Sequence, residues 1–288
     1  MNIGIGLPAT IAGVDRESLL SWARRAEERG FSTLGTLDRL VYPNFEPLTA
    51  LAAAAAVTER IRLTTDILIA PLRGNGAVLA KQAATIDALS NGRLTIGVGV
   101  GLREDDFKVA GVPFEERGRL FDQQLDEMKK VWAGGERGFA GPVGPPPGRE
   151  GGPELVIGGS VDATIQRVVR FGDGWTMGGG PPDAFKEMSG RIKEAWSEAG
   201  RDGTPRLIAL CYFALGEGAA EAAEHDLSHY YGWLGDEMVG QIVGSAVTDE
   251  GTAQAYRDAF ADAGADELIY FPTSTDSGQV DLLADALL

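Results

Sequence analysis

Two rhythms of apolar and polar positions take turns along this chain, and Arg60–Gly101 shows both in succession. Ile61–Ile69 is apolar and β-branched, with Arg62 and Asp66 as its only charges, the pattern of a strand covered on both faces. Pro71 and Gly74-Asn75-Gly76 interrupt it. Ala77–Leu89 then repeats apolar residues at helical spacing, and Asn91-Gly92 ends that helix because both residues tolerate left-handed backbone angles. Arg93–Val98 is a second apolar strand, closed by Gly97-Val98-Gly99-Val100-Gly101. Two strands joined through a helix pair in parallel, because a tight hairpin joins only antiparallel ones.

The same alternation fills the rest of the chain. Further strands are predicted at Ile3–Leu7, Phe31–Leu37, Leu155–Ile157, Gly174–Met177, Leu207–Leu215 and Glu267–Phe271. Helices are predicted at Arg16–Arg29, with Asp15 as N-cap, and at Pro47–Thr58, Glu115–Trp132, Asp162–Phe171 and Asp183–Ala199. Helical residues resume at Ala219, and Thr252–Ala263 and Val280–Leu287 complete the set. Eight strands, each followed by a helix, predict an α/β fold: a (β/α)8 TIM barrel occupying residues 1–288 as one domain. The alternative is an open doubly wound sheet, which the strand count and the length of 288 residues disfavour. Two insertions depart from the repeat: the Gly- and Pro-rich Gly134–Pro153 after the fourth helix, and His225–Asp249 after the seventh strand.

Charge narrows the partners. With 26 Lys and Arg against 42 Asp and Glu, the formal net charge is −16, which argues against nucleic acid and anionic membrane surfaces. The single cysteine, Cys211, excludes an internal disulfide and falls inside a predicted strand as a core residue. Met1 leads into the first strand without a basic leader, and no apolar run reaches the ~18 residues of a membrane span. A cytoplasmic protein is expected.

Parallel α/β sheets place their chemistry at the carboxyl ends of the strands. Pro71-Leu72-Arg73-Gly74 and Gly97–Gly101 both lie at such ends. The second is only loosely a dinucleotide fingerprint: Leu102–Asp106 and a Gly-Val-Pro loop separate it from the helix near Glu115. Its glycines serve either tight packing or a flat ligand lying against the backbone. Ile157-Gly158-Gly159-Ser160 runs straight into a helix, which makes either a plain capped turn or a phosphate site at the helix N-terminus. Asp38-Arg39 ends the second strand as a catalytic, anion-binding or purely ionic pair. Trp175-Thr176-Met177 ends the sixth, where Trp175 is either a pocket wall or core. His225 and His229 stand at i and i+4, a metal-ligand spacing, but a zinc protease needs Glu where Asp226 stands. No metal site is expected, and no nucleophile elbow or phosphate-binding P-loop is present.

The run Glu59–Gly101, VPFEERG at Val112–Gly118, IGGS at Ile157–Ser160 and GDGW at Gly172–Trp175 resemble the luciferase-like monooxygenase superfamily, flavin- or deazaflavin-dependent (β/α)8 barrels. The likeness is nearest to the branch using coenzyme F-420, a 5-deazaflavin, with FMN as the alternative cofactor. It implies an oxidoreductase moving hydride between that cofactor and a small organic substrate. The alternatives are an FMN-dependent monooxygenase and a non-catalytic flavin-binding member. It further implies a ring lying against the third strand at Thr65, Asp66 and Ile67, with a non-prolyl cis peptide at Asp66-Ile67. Gly99, Gly101 and Asp105 flank the ring, and Asp38 lies beside it. Gly158, Gly159, Ser160 and Val161 take the phosphate, with Trp175 and Thr176 at the same mouth and Arg73 as a further contact. Catalysis falls to Asp38, Arg39 and Asp105. Many members carry histidine where this chain has Arg39, and a guanidinium cannot act as a base. A homodimer is expected from the same resemblance.

Overall fold

The computed structural model describes residues 1–288. Eight parallel strands close into a barrel. They are β1 (Asn2–Gly6), β2 (Thr33–Thr36), β3 (Arg62–Ile69) and β4 (Leu94–Gly99). A small hairpin follows, β5 (Glu136–Gly138) against β6 (Gly141–Pro142), before the barrel resumes with β7 (Glu154–Gly158) and β8 (Gly174–Met177). β9 (Arg206–Phe213) and β10 (Glu267–Pro272) complete it, and β10 pairs with β1 to shut the ring. The closed ring excludes the doubly wound alternative.

The helices are α1 (Arg16–Arg29), α2 (Pro47–Ala55), α3 (Gly76–Leu89), α4 (Glu104–Ala110), α5 (Arg117–Trp132) and α6 (Asp162–Phe171). They continue with α7 (Pro182–Glu198), α8 (Ala219–Tyr231), α9 (Asp236–Gly244), α10 (Glu250–Asp262) and α11 (Gln279–Leu287). Capping follows the sequence: the Asp15 carboxylate accepts from the Ser18 N–H at 2.8 Å, and Asn91 and Gly92 take φ of 56° and 79° after α3. The main apolar core lies between strands and helices, around Trp22, Phe121, Trp175, Phe185, Phe213 and Tyr270. No helix is long and apolar enough to cross a membrane.

Three segments differ from expectation. Leu102–Asp106 leads into a short helix, α4, instead of a loop; Glu104, Asp105 and Asp106 put negative charge at its N-terminus, and Gly111 at φ 68° ends it. The fourth barrel helix starts at Arg117, after a single 3-10 turn at Phe114–Glu116. The insertion Gly134–Pro153 carries the β5–β6 hairpin, and the second insertion is the end of α8 followed by α9.

The barrel's amino-terminal end is closed by ions. Arg206 of β9 pairs with both Glu154 of β7 and Glu267 of β10. Arg62 and Thr95 add hydrogen bonds to Glu154 at 2.8 and 2.6 Å, and Ser32 adds one to Glu267 at 2.6 Å. Above this layer Val156, Ile208, Leu210, Tyr212, Ile269 and Phe271 fill the interior. Phe271 of β10 lies over the neighbouring β1 and β2 because Gly6 and Gly35 present no side chain in its path. Ala223 and Leu227 of α8 join the same apolar cluster, so this helix covers part of the carboxyl-end mouth.

Candidate active site

The mouth is shaped by an irregularity in β3. Thr65 pairs with Ile96, but the next regular partners are Leu68 and Val98, so Asp66 and Ile67 together oppose Gly97. The Asp66-Ile67 peptide is cis. The register shift leaves Gly97 without a regular ladder partner on β3, and the Thr65 hydroxyl takes that place: it donates to the Gly97 carbonyl at 2.7 Å and accepts from the Gly97 N–H at 3.0 Å. Thr65 is fully buried, its hydroxyl spent on holding β3 to β4.

The bulge turns two consecutive side chains toward the barrel axis. Ile67 lies across Gly99 and Gly158, where a Cβ would come within 2.9 and 2.6 Å of its side chain, so only glycine allows this apolar shelf. Asp66 reaches across to β8, where the Thr176 hydroxyl donates to its Oδ1 at 2.7 Å. Its Oδ2 is buried and has no partner. Burial pushes the Asp66 carboxyl up to about 7; the Thr176 hydrogen bond pulls it down and the charge of Glu267 pushes it further up.

One side of the shelf is an open helix end. Gly158 is half-buried, Gly159, Ser160 and Val161 are exposed, and no side chain caps α6. Gly159 takes φ 134°, which a side chain would resist, and Asp162 in the first turn is matched by Arg191. The uncapped N–H groups and the positive helix end give this turn the chemistry to hold an anion. Trp175 points away from the mouth, fully buried against Phe185, and its indole N–H holds the Gly159 carbonyl at 2.7 Å. It supports the anion turn from behind.

The opposite side is built on Asp38. Its Oδ2 accepts from the Ile69 N–H and its Oδ1 from Arg73, at 2.8 and 2.7 Å, and Arg73 also holds Glu46 at 2.6 Å. Burial pushes the Asp38 carboxyl up, while Arg73 and the Ile69 N–H pull it back. Asp38 therefore anchors the turn after β3 to the end of β2. Gly101, at φ 76°, lies against Ile69 and Phe107.

Arg39 is not free to meet a substrate. Its guanidinium donates to the Tyr230 carbonyl at 2.8 Å, approaches Asp105 at 3.7 Å, and lies 4.7 and 5.4 Å from the ring centres of Tyr42 and Tyr230. Asp105 is exposed and also accepts from the Asp106 N–H. Arg103 stacks on Tyr230 from another side, at 5.0 Å. Both arginines clamp α8 over the mouth. Arg39→Ala is expected to loosen α8 alone, by about 1–3 kcal/mol, seen as faster hydrogen exchange over Ala219–Tyr231 with the barrel strands unchanged.

Sequence reading missed Asp106, which is completely buried and accepts from the Leu40 and Val41 N–H groups at 3.1 and 2.7 Å. Nothing in a Glu-Asp-Asp run distinguishes that residue from its neighbours. It also missed Tyr42, Tyr212, Tyr230 and Tyr231, an aromatic wall brought together from three elements. Asp226 faces this wall, and burial pushes its carboxyl up to about 7. His229 gains no metal-binding company: its Nδ1 hydrogen-bonds the Tyr42 hydroxyl at 2.7 Å, and no three His, Cys, Asp or Glu side chains gather into a metal cluster. Cys211 is buried, as expected of a core residue.

A carboxyl-end mouth with an apolar glycine-bordered shelf, an anion turn at its edge and a partnerless buried oxygen fits a flat ring carrying a phosphate. The fold that carries this mouth is a closed parallel (β/α)8 barrel. The chain belongs to the luciferase-like monooxygenase family, whose pattern it matches over residues 1–274. An uncharacterised protein of Mycobacterium tuberculosis is 33% identical over 174 residues, 57% of this chain; the match spans 61% of that curated relative's length. Monooxygenase RslO1 from Streptomyces bottropensis superposes with a TM-score of 0.79 at 23% identity, covering 100% of this chain and 98% of that one. An F-420-dependent secondary alcohol dehydrogenase in complex with an F-420–acetone adduct superposes at 0.83 with 18% identity, covering 99% and 98%.

Proposed function

We propose that this protein is an oxidoreductase dependent on the deazaflavin coenzyme F-420, acting on a small organic substrate. The observation that carries the reading is the Ile67 shelf between Gly99 and Gly158, ending at the open N-terminus of α6. Family membership and the motifs shared with the deazaflavin branch support it.

The shelf and the Gly99–Gly101 turn would hold the ring, and Gly158–Val161 would hold the phosphate. The bound deazaflavin supplies hydride acceptance and donation at carbon, chemistry no side chain of the chain provides. The residues orient and shield. Ile67 would support the ring from below, and Asp38 fixes the turn after β3 through Ile69 and Arg73. α8, with Tyr230 and Tyr231, limits water above it. Asp226, raised to about 7 by burial beside the tyrosine wall, would be the carboxyl on α8 available for proton exchange. A cytoplasmic homodimer is part of the same reading.

An FMN-dependent monooxygenase is the second reading, since the superposed structures include a monooxygenase. Fluorescence titration of the purified protein with F-420 and with FMN separates the two. Micromolar or tighter F-420 binding with weak FMN binding is expected. Tight FMN binding with no F-420 binding overturns the deazaflavin assignment.

A further inference from the structure

Asp66 is an unusual residue to find inside a barrel. Its exposure is 3%, its Oδ2 touches neither solvent nor a donor, and no Lys, Arg or His pairs with it. Ion pairs of Arg62 and Arg206 are confined to the amino-terminal layer, where they serve Glu154 and Glu267. The bulge in β3 places this carboxyl directly beside Ile67, whose side chain forms the shelf. A buried acid with a spare oxygen and no cation is costly unless something above it gives the oxygen work.

We propose that Asp66 is the group beneath the ring whose charge distinguishes reduced from oxidised cofactor: binding of the reduced ring is coupled to uptake of one proton from solvent at Asp66 Oδ2. This rests on the ring lying on the Ile67 shelf, as in the function proposed above. A hydride brings two electrons and one proton, so a reduced ring carries one more negative charge than the oxidised ring. An ionised carboxylate underneath repels that charge; a protonated one can donate a hydrogen bond to it. The balance is a carboxylate plus one proton giving a carboxylic acid, with no further co-reactant.

The surroundings suit this task. From β8 the neutral Thr176 hydroxyl donates to Oδ1, leaving Oδ2 as the oxygen to be protonated. From β10 Glu267 acts through space to favour the protonated form, and its own charge is held by Arg206. The neighbouring strands β2 and β4 set Thr36 and Gly97 beside the bulge, neither of which ionises. Burial thus leaves the carboxyl near 7, where a small change in charge above it changes its protonation.

The test is anaerobic titration of the intact protein with F-420 and with FMN, each oxidised and dithionite-reduced, from pH 6 to 9. Uptake of one proton makes the Kd of the reduced form rise by up to about tenfold per pH unit above pH 7. The oxidised form should change by less than about threefold over the same range. Asp66→Asn keeps an acceptor for Thr176 and cannot ionise, so its Kd for the reduced form should be flat with pH. Thr176→Val removes the hydrogen bond that favours the ionised form, and should move the onset of the pH dependence upward. A residue with only a structural role would change all affinities together. A reduced-form slope that survives in Asp66→Asn overturns the proposal. If that variant does not fold, the wild type still decides: adding reduced ring at pH 8 should raise the infrared carbonyl band of a protonated carboxylic acid, and its absence overturns the proposal. Failure of the wild type to bind any of the four ligands instead overturns the cofactor assignment, and this inference with it.

Discussion

Arg206→Leu is expected to destabilise the barrel by about 3–5 kcal/mol, the typical effect of breaking a buried ion pair by removing one partner. The guanidinium joins β7 and β10 through Glu154 and Glu267, across β8. Glu154 retains Arg62 and Thr95 after the change. Glu267 is completely buried and retains only the Ser32 hydroxyl. An uncompensated carboxylate inside the barrel is therefore the main loss. Urea unfolding measures it, and a loss under about 1 kcal/mol would show the network to be dispensable. The pH dependence has a definite sign. The Glu154 carboxyl is held below its ordinary value; burial opposes this, and Arg206, Thr95 and Arg62 outweigh it. A lowered carboxylate stabilises the fold above its unfolded value of 4.5, and that contribution is lost as pH falls through the folded value. Without Arg206 less remains to lose, so the gap between variant and wild type should narrow below about pH 4.

Gly158→Val acts on the other end of the barrel and on binding instead of folding. A Cβ at this position would meet the Ile67 side chain at 2.6 Å. The branched side chain must displace Ile67 or stand up from the shelf, and either outcome occupies the place of a flat ring. Gly158 is half-buried at a strand end, so the fold can absorb the change at about 1–3 kcal/mol. The expected result is a rise in Kd for the flavin or deazaflavin of about 100-fold, near 2.7 kcal/mol, with a retained cooperative melting transition. Unchanged affinity would place the ring elsewhere.

Much of the architecture was legible because barrel strands and helices are written in period. Ile61–Ile69 and Ala77–Leu89 carry their burial in local order, and Asp15, Asn91 and Gly92 mark helix ends through backbone chemistry alone. The α4 helix was hidden because a Glu-Asp-Asp run reads equally as a solvated loop. The site was legible where chemistry depends on a contiguous turn, as at Ile157–Ser160. It was not legible where roles depend on partners far apart in the chain. Trp175 supports Gly159 from the outer face of β8, and Arg39 is consumed by Tyr230, residues that no local pattern ties to them.

From the sequence alone came the parallel barrel, its eight strands and the end at which its chemistry sits, since periodicity and turn residues act over a few positions. Tertiary structure decided which residues meet there. Closure brought Thr176 to Asp66 across 110 positions and left one carboxyl oxygen without a partner. It also folded α8 back to hold Arg39 through a residue 191 positions away. The charge and availability of a side chain depend on burial and on such distant partners, and neither is a local property of the chain.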